Sequence, residues 1–321
     1  MKKSCFFILL IIFLTSCGGG GGGSSDDSIN VPSTPPMNTE TLDDICASYS
    51  WGLFCEFTHD GLEREFTVYI PQSYNQNTQV PLLFNFHGYG SSAYSQIGYG
   101  DFRDLAEQHN FIIVIPQGSL LEGTTHWSVK SWTSNSTTDD VGFTSTLIEK
   151  ISAEYSIDLS RIYSTGMSNG GFMSYYLACF LSQKIAAVAS VTGSMSHNVM
   201  GDCSPTHPTP VLQIHGTADG VVPYISSAGW TKSIEDVALH WANYNNCSEN
   251  QDIVINDLNN DGNSGKVIHY FSCDNNVDVK LYQMEQMGHI WPETRRGDDI
   301  DGAEEIWNFL SNYNINGKIL D

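Results

Sequence analysis

One stretch constrains this chain more than any other: Arg161-Ile162-Tyr163-Ser164-Thr165-Gly166-Met167-Ser168-Asn169-Gly170-Gly171. Its first half alternates and is rich in β-branched and aromatic residues, the pattern of a short strand. Its second half is Gly-x-Ser-x-Gly, and residues 172–181 run on with helix-like apolar spacing. Strand, sharp turn with serine at its apex, then helix: this context makes a five-residue pattern a nucleophile elbow. The turn strains the backbone at the serine, so its neighbours must be small for strand and helix to approach. The helix also aims its first N–H groups at the serine, where they favour developing negative charge. A Gly/Ser-rich turn without chemistry carries the same five residues, so the rest of the chain has to supply what a serine needs.

A serine hydroxyl is a weak nucleophile; it requires a base, and the base requires an orienting acid. Asp219 follows a strand ending at Gly216, and His289 follows a strand ending near Met284. Both lie in loops at strand C-terminal ends, where open α/β sheets place their sites. The order Ser168, Asp219, His289 is that of an α/β-hydrolase. The plain alternatives are a turn aspartate before Gly220 and a surface-loop histidine. His215 sits in a strand end, His240 in a helix and His269 in a strand, so none follows a late strand into a loop. His87 is early, and the glycines after it suit an oxyanion loop. There a backbone N–H near Gly88 or Tyr89 would join that of Asn169.

The rest of the chain reads as alternating strands and helices. Residues 65–71 alternate as a half-buried strand that stops at Pro71, and 80–86 form the continuous apolar run of a strand covered on both faces. Helical spacing follows over 101–109, a strand over 111–116 and a helix over 140–155. After the elbow come 185–191, a strand over 210–216, a helix over 226–244 and a strand over 277–284. Asp301 caps a last helix over 302–313. This spacing predicts one α/β domain over 42–321, with a mainly parallel central sheet and helices on both faces. About 280 residues suffice for a sizeable core, and no internal repeat is visible.

Residues 1–16 read as a signal peptide, with a basic start at Lys2-Lys3 and an apolar stretch from Phe6 to Leu14 too short to span a bilayer. Leu14-Thr15-Ser16-Cys17 resembles a bacterial lipobox, which makes Cys17 the expected lipidation site; an ordinary secretory cleavage nearby is the alternative. Residues 17–41, rich in Gly, Ser and Pro, read as a flexible tether. The tether resembles the leaders of surface-displayed lipoproteins of some Gram-negative bacteria, so the expected location is outside the cytoplasm, on the outer membrane. Net charge is −22, and loss of Lys2 and Lys3 would leave −24. Such an acidic surface argues against nucleic acid or an anionic membrane as partner, leaving the lipid anchor as the membrane contact. Cys46, Cys55, Cys179, Cys203, Cys247 and Cys273 remain, an even set that argues for disulfides in an exported chain. Six cysteines allow fifteen connectivities. Proximity in sequence favours Cys46–Cys55, Cys179–Cys203 and Cys247–Cys273, and the absence of Cys-x-x-Cys or clustered histidines disfavours metal.

Taken together, His87-Gly88, Asp139-Asp140-Val141-Gly142-Phe143, Gly166 to Gly171, His215-Gly216-Thr217-Ala218-Asp219 and Gly288-His289-Ile290-Trp291-Pro292 resemble the polyhydroxybutyrate depolymerase-like esterases. These adjoin the feruloyl and acetylxylan esterases of carbohydrate esterase family 1. The likeness covers residues 65–313. It implies a secreted serine esterase with an acyl-enzyme mechanism, no metal and no cofactor, and it supports Cys179–Cys203 and Cys247–Cys273. It leaves the acyl group open among polyester, feruloyl and acetyl substrates. A tethered chain suits a substrate too large to import, which favours feruloyl or acetylxylan ester over polyhydroxybutyrate. A serine peptidase of the same fold and a catalytically silent carbohydrate-binding lipoprotein are the readings from other classes.

Trp127, Trp132, Tyr89, Tyr224 and Trp291 are candidates for an aromatic cleft, with Tyr89 and Trp291, beside proposed catalytic groups, expected to contact substrate. Asp139 and Asp140 are expected to cap a helix. Residues 257–262 open like a calcium loop, but Ile268 stands where the bidentate glutamate belongs, so a polar loop is the expectation.

Overall fold

A computed structural model describes residues 41–226, 230–262 and 264–320. The expected signal peptide, Cys17 and the tether up to residue 40 lie outside the described residues. One turn of helix, α1 (Leu42–Ile45), leads into an antiparallel meander of β1 (Cys46–Tyr49), β2 (Gly52–His59) and β3 (Leu62–Tyr69). Next come β4 (Val80–Phe86), α2 (Ala93–Tyr99), α3 (Arg103–His109) and β5 (Ile112–Pro116), then a small hairpin of β6 (Ser119–Leu121) and β7 (Thr124–His126). The centre of the fold is α4 (Asp140–Glu154), β8 (Ile157–Met167), α5 (Asn169–Phe180), β9 (Ala187–Val191), α6 (His197–Asp202) and β10 (Val211–Gly216). The chain closes with α7 (Ile234–Tyr244), the hairpin β11 (Glu249–Ile255) and β12 (Gly265–Phe271), β13 (Val279–Met284) and α8 (Gly302–Leu310). A terminal β14 (Tyr313–Asn314) and β15 (Gly317–Lys318) form a two-stranded sheet of their own.

The main sheet has 11 strands in the order β1-β2-β3-β5-β4-β8-β9-β10-β13-β12-β11. From β5 to β13 all neighbours are parallel, while β1 to β3 at one edge and β12 and β11 at the other pair antiparallel. Central strands are apolar on both faces because helices cover both. In β4, Leu82, Phe84 and Phe86 enter the core under α4, α5 and α7, where they meet Phe143, Leu147, Phe172, Leu177, Val237 and Trp241. Leu83 points the other way, into a second core beneath α2, α3 and α8 with Ile97, Ala106, Ile306 and Trp307. Fully burying one such side chain contributes about 1.5–3 kcal/mol. Because the central strands are parallel, their C-terminal ends form one edge, from which the loops after β4, β8, β10 and β13 emerge.

Three disulfides join Cys46 to Cys55, Cys179 to Cys203 and Cys247 to Cys273. The first crosses the β1–β2 ladder at paired positions; the last clasps the base of the β11–β12 hairpin. That hairpin occupies the segment 248–272 and extends the sheet by pairing β12 with β13.

Two helix boundaries differ from the sequence expectation by three residues or more. The helix read over 226–244 begins at Ile234, because Ser233 caps it by accepting the Asp236 N–H. The last helix stops at Leu310, three residues early, because Tyr313 leaves it to pair with Lys318.

Candidate active site

Ser168 sits between β8 and α5 with φ 54° and ψ −118°, a left-handed backbone that a β-carbon disfavours. Its N–H is tied to the Val191 carbonyl at 2.8 Å, and its hydroxyl caps no backbone group of the helix. Two glycines make the turn possible. A β-carbon at Gly166 would lie 2.5 Å from the Phe86 carbonyl oxygen, and one at Gly170 would lie 2.0 Å from it. Any side chain there would push the elbow away from β4 and the loop that follows it.

The other two residues of the expected triad arrive on neighbouring loops. His289 Nδ1 lies 2.8 Å from Asp219 Oδ2, although the two residues are 70 positions apart in the chain. Asp219 Oδ1 accepts the N–H groups of Val221 and Val222 at 2.8 and 2.9 Å. Burial opposes ionisation of this carboxyl. Hydrogen bonds from His215, His289 and the Val221 N–H, with the nearby His289 charge, outweigh burial and hold it well below the usual carboxylate range. His289 and Ser168 line one cleft, shared with Gly88, Tyr89, Ser95 and Tyr99.

The loop after β4 is held rigidly. His87 is fully buried; its Nε2 accepts the Gly118 N–H at 2.9 Å and its Nδ1 donates to the Gly88 carbonyl at 2.7 Å. Burial pushes its ring down to about 4, so it stays neutral at physiological pH. With both nitrogens occupied, His87 braces the loop. Gly88 accepts a further bond from the Ser91 N–H, and a β-carbon on Gly88 would lie 3.4 Å from Ser168 Cβ. The Gly88 carbonyl is thereby committed to the loop interior. In a trans peptide the Tyr89 N–H points the opposite way. Asn169 is buried, and as the first residue of α5 its N–H has no partner within the helix.

On the other side of Ser168 lies an apolar slot of about 490 Å³ lined by Tyr89, Trp132, Phe172, Val221, Val222 and Trp230. Its aromatic rings are linked edge to face or stacked: Tyr89 with Trp132 at 5.0 Å, Trp132 with Phe172 at 6.5 Å, and Phe172 with Trp230 at 6.0 Å. Tyr89 faces both the slot and the cleft.

Trp291 is not placed there, which corrects the expectation that it touches substrate. It is 1 % exposed and packs edge-on against Phe102, because the chain turns inward after Ile290. Its backbone N–H donates to the Tyr99 hydroxyl at 2.9 Å, so it braces a cleft residue from behind. Trp127 is buried as well; its Nε1–H donates to the His87 carbonyl at 2.8 Å. Tyr224 lies behind Asp219, its ring edge-on to His215. Asp139 caps α4 by accepting the Gly142 N–H. Asp140 instead forms a buried pair with Arg64 at 2.7 Å and accepts the Ser128 N–H. In the 257–262 loop, the Asp257 carboxylate accepts the N–H groups of Asp261 and Gly262. Among the described residues no group of three or more His, Cys, Asp or Glu gathers as a metal site would.

Phe172 and Trp230 were not singled out in the sequence. Phe172 had a signal, since it lies one helical turn after Ser168 and must share its face of α5. Trp230 was hidden by the reading of 226–244 as one helix.

A strained serine elbow, an Asp–His pair and a rigid glycine loop, all at the C-terminal edge of a parallel sheet, define an α/β-hydrolase. Residues 70–247 match the family described as phospholipase/carboxylesterase, and the chain belongs to that family. It is 29 % identical over 259 residues to a bifunctional acetylxylan esterase/xylanase of Neocallimastix patriciarum, covering 81 % of this chain and 35 % of that protein. It is 26 % identical over 264 residues to feruloyl esterase B of Piromyces equi, covering 78 % of this chain and 46 % of that one. The chain thus spans less than half the length of these two relatives. A ferulic acid esterase of family CE1 from Anaeromyces mucronatus, solved with ferulic acid, shares the fold with a TM-score of 0.54 at 16 % identity, over 84 % of this chain and 91 % of that one.

Proposed function

We propose that this protein is an exported serine carboxylic-ester hydrolase that releases aromatic acyl groups, of the feruloyl type, from plant polysaccharide. The observation that carries this reading is the aromatic slot opening on Ser168, next to the His289–Asp219 pair. An acetyl group would leave most of about 490 Å³ unfilled. A planar hydroxycinnamoyl group would pack against Trp132, Phe172 and Trp230. The hydroxyl and amide groups of Ser91, Ser95, Gln96 and Tyr99 in the cleft beyond Ser168 suit a sugar alcohol. Relatives named as feruloyl and acetylxylan esterases support the polysaccharide ester.

The chemistry follows from the geometry. Ser168 Oγ attacks the ester carbonyl while His289 Nε2 takes the hydroxyl proton. Asp219, bonded to His289 Nδ1, keeps the proton-accepting nitrogen facing the serine and offsets the imidazolium charge. The Asn169 and Tyr89 N–H groups receive the oxyanion. Collapse breaks the carbonyl–alkoxy bond, His289 returns its proton to the departing sugar oxygen, and an acyl-serine remains. Water then repeats the sequence, giving the free acid and Ser168.

Three disulfides support export, since such bonds persist in oxidising compartments. Anchoring through a lipid on Cys17 is the reading of the leader; Cys17→Ser protein should leave the membrane fraction with its activity intact, and retention after a salt wash would refute the anchor. The test of the reaction is a side-by-side comparison of methyl ferulate, acetylated xylan and hydroxybutyrate oligomers. The highest kcat/KM should fall on methyl ferulate. Equal or better turnover of acetylated xylan or the oligomers would overturn the aromatic specificity.

A further inference from the structure

Asp219 is approached by two histidines, and the mechanism above employs one. His215 ends β10 four residues before Asp219. Its Nε2 lies 3.2 Å from Asp219 Oδ2 and 2.8 Å from the Val222 carbonyl oxygen. Its Nδ1 lies 2.9 Å from Gln213 Nε2. The amide orientation of Gln213 is fixed by its other neighbours, the Gly193 and Ile214 carbonyl oxygens at 3.1 and 3.3 Å. Carbonyls accept only, so the nitrogen must face them. Gln213 therefore donates to His215 Nδ1, and the His215 proton resides on Nε2. Gln213 Oε1 in turn accepts the Tyr175 hydroxyl at 2.7 Å.

The result is a directional chain, Tyr175 to Gln213 to His215, whose one Nε2 proton is shared between the Val222 carbonyl, the nearer acceptor, and Asp219 Oδ2. Strand geometry explains why these residues meet. Gln213 and His215 are two apart on β10 and share the face toward α5, while Leu212 and Ile214 enter the opposite core. Tyr175, Gln213 and His215 are each no more than 1 % exposed, so bulk solvent does not reach their polar atoms.

We propose that His215, locked by Gln213 in its Nε2–H tautomer, is a positioning residue that fixes the Asp219 oxygen serving His289. A neutral donor is the form this task requires. An Nδ1–H tautomer would turn the Nε2 lone pair toward a carboxylate oxygen, and an imidazolium would compete with His289 for the same charge. Both forms need a proton on Nδ1, where the Gln213 N–H already points. With Oδ1 held by the Val221 and Val222 N–H groups, and Oδ2 by His289 and a share of the His215 proton, rotation of the carboxylate away from His289 is opposed. The remaining ionisable neighbours are Tyr224, edge-on to His215 and bonded to Glu235 of α7, and Glu285 after β13, which accepts the Thr217 hydroxyl. No bond from them reaches Asp219.

The inference rests on the esterase reading, and its first test is independent of it. Ring-nitrogen chemical shifts of His215 in the full-length protein, labelled with 15N-histidine and observed at pH 7, should report a neutral ring protonated on Nε2. An Nδ1–H tautomer or an imidazolium would overturn the proposal even if the protein hydrolyses every ester offered. The second test compares His215→Leu with His215→Gln, whose amide N–H reaches the position of Nε2. His215→Leu should lose about tenfold or more in kcat with KM little changed, and His215→Gln should recover most of it. Folded His215→Leu with wild-type kcat, or equal losses in both variants, would show a packing role alone. If His215→Leu does not fold, the tautomer decides. Wild-type protein inert to every ester and to fluorophosphonate would sink the esterase reading and leave the tautomer result standing.

Discussion

Asn169 grips Trp127 by both of its backbone groups: its Oδ1 accepts the Trp127 N–H at 2.7 Å and its Nδ2 donates to the Trp127 carbonyl at 3.2 Å. The residue next to the serine thus spends its side chain on a remote loop, while its own N–H stays available beside Ser168. Trp127 passes the constraint on through its indole N–H to the His87 carbonyl. The two proposed oxyanion donors, on the loops after β4 and β8, are therefore set against each other by one buried polar bridge.

Asn169→Ala should cost about 1–3 kcal/mol, because two buried backbone groups lose their partners. Urea unfolding measures it. Turnover should fall more than the stability change suggests, as the spacing of the donors relaxes. A variant with wild-type stability and kcat would show that the bridge holds nothing.

Ser168→Ala should fold normally and lose roughly 10³-fold or more in esterase kcat, since the proposed covalent route is gone. Asp219→Asn and His289→Ala should lose comparably, and combining either with Ser168→Ala should add little. Purified His289→Ala retaining near-wild-type turnover would remove His289 from the role of base.

His87 ties stability to pH. Its ring titrates near 6.5 in the unfolded chain and at about 4 in the fold, so between those values the unfolded state binds the extra proton. The stability from a neutral buried His87 is fully present above pH 6.5 and is lost as pH falls toward 4, by about 3 kcal/mol. Urea midpoints at pH 7 and pH 4.5 should differ accordingly, and His87→Gln should flatten the difference. An unchanged slope in that variant would assign the acid sensitivity elsewhere.

The Cys247–Cys273 bond closes a loop with a sequence separation of 26, which contributes about 3 kcal/mol, mostly by restricting the unfolded chain. The double Cys→Ser variant should melt lower yet keep its activity at low temperature, because the hairpin it clasps lies outside the cleft. Free thiols at both positions in the native protein would contradict the bond.

What the sequence alone determined was local. Gly166-Met167-Ser168-Asn169-Gly170 implies an elbow because few other residues tolerate that turn, and the continuous apolar run of β4 implies helices on both faces. The placement of Ser168, Asp219 and His289 was legible because each follows a strand, and parallel strands deliver their C-terminal ends to one edge. The disulfides were legible as pairs of near neighbours. The rest depended on which way side chains face, and sequence position does not carry that. Trp291 adjoins His289 in the chain yet turns into the core, while Trp230, far from Ser168 in sequence, lines its slot. Asp140 reads as a cap until Arg64, 76 residues away, reaches it. His215 lies within four residues of Asp219, but its contact with that carboxylate, and the tautomer that makes it a donor, exist because Tyr175 of α5 reaches Gln213 of β10. Short-range sterics and hydrophobic period fixed the elements, whereas the polar network and the shape of the slot came from packing between elements distant in the chain.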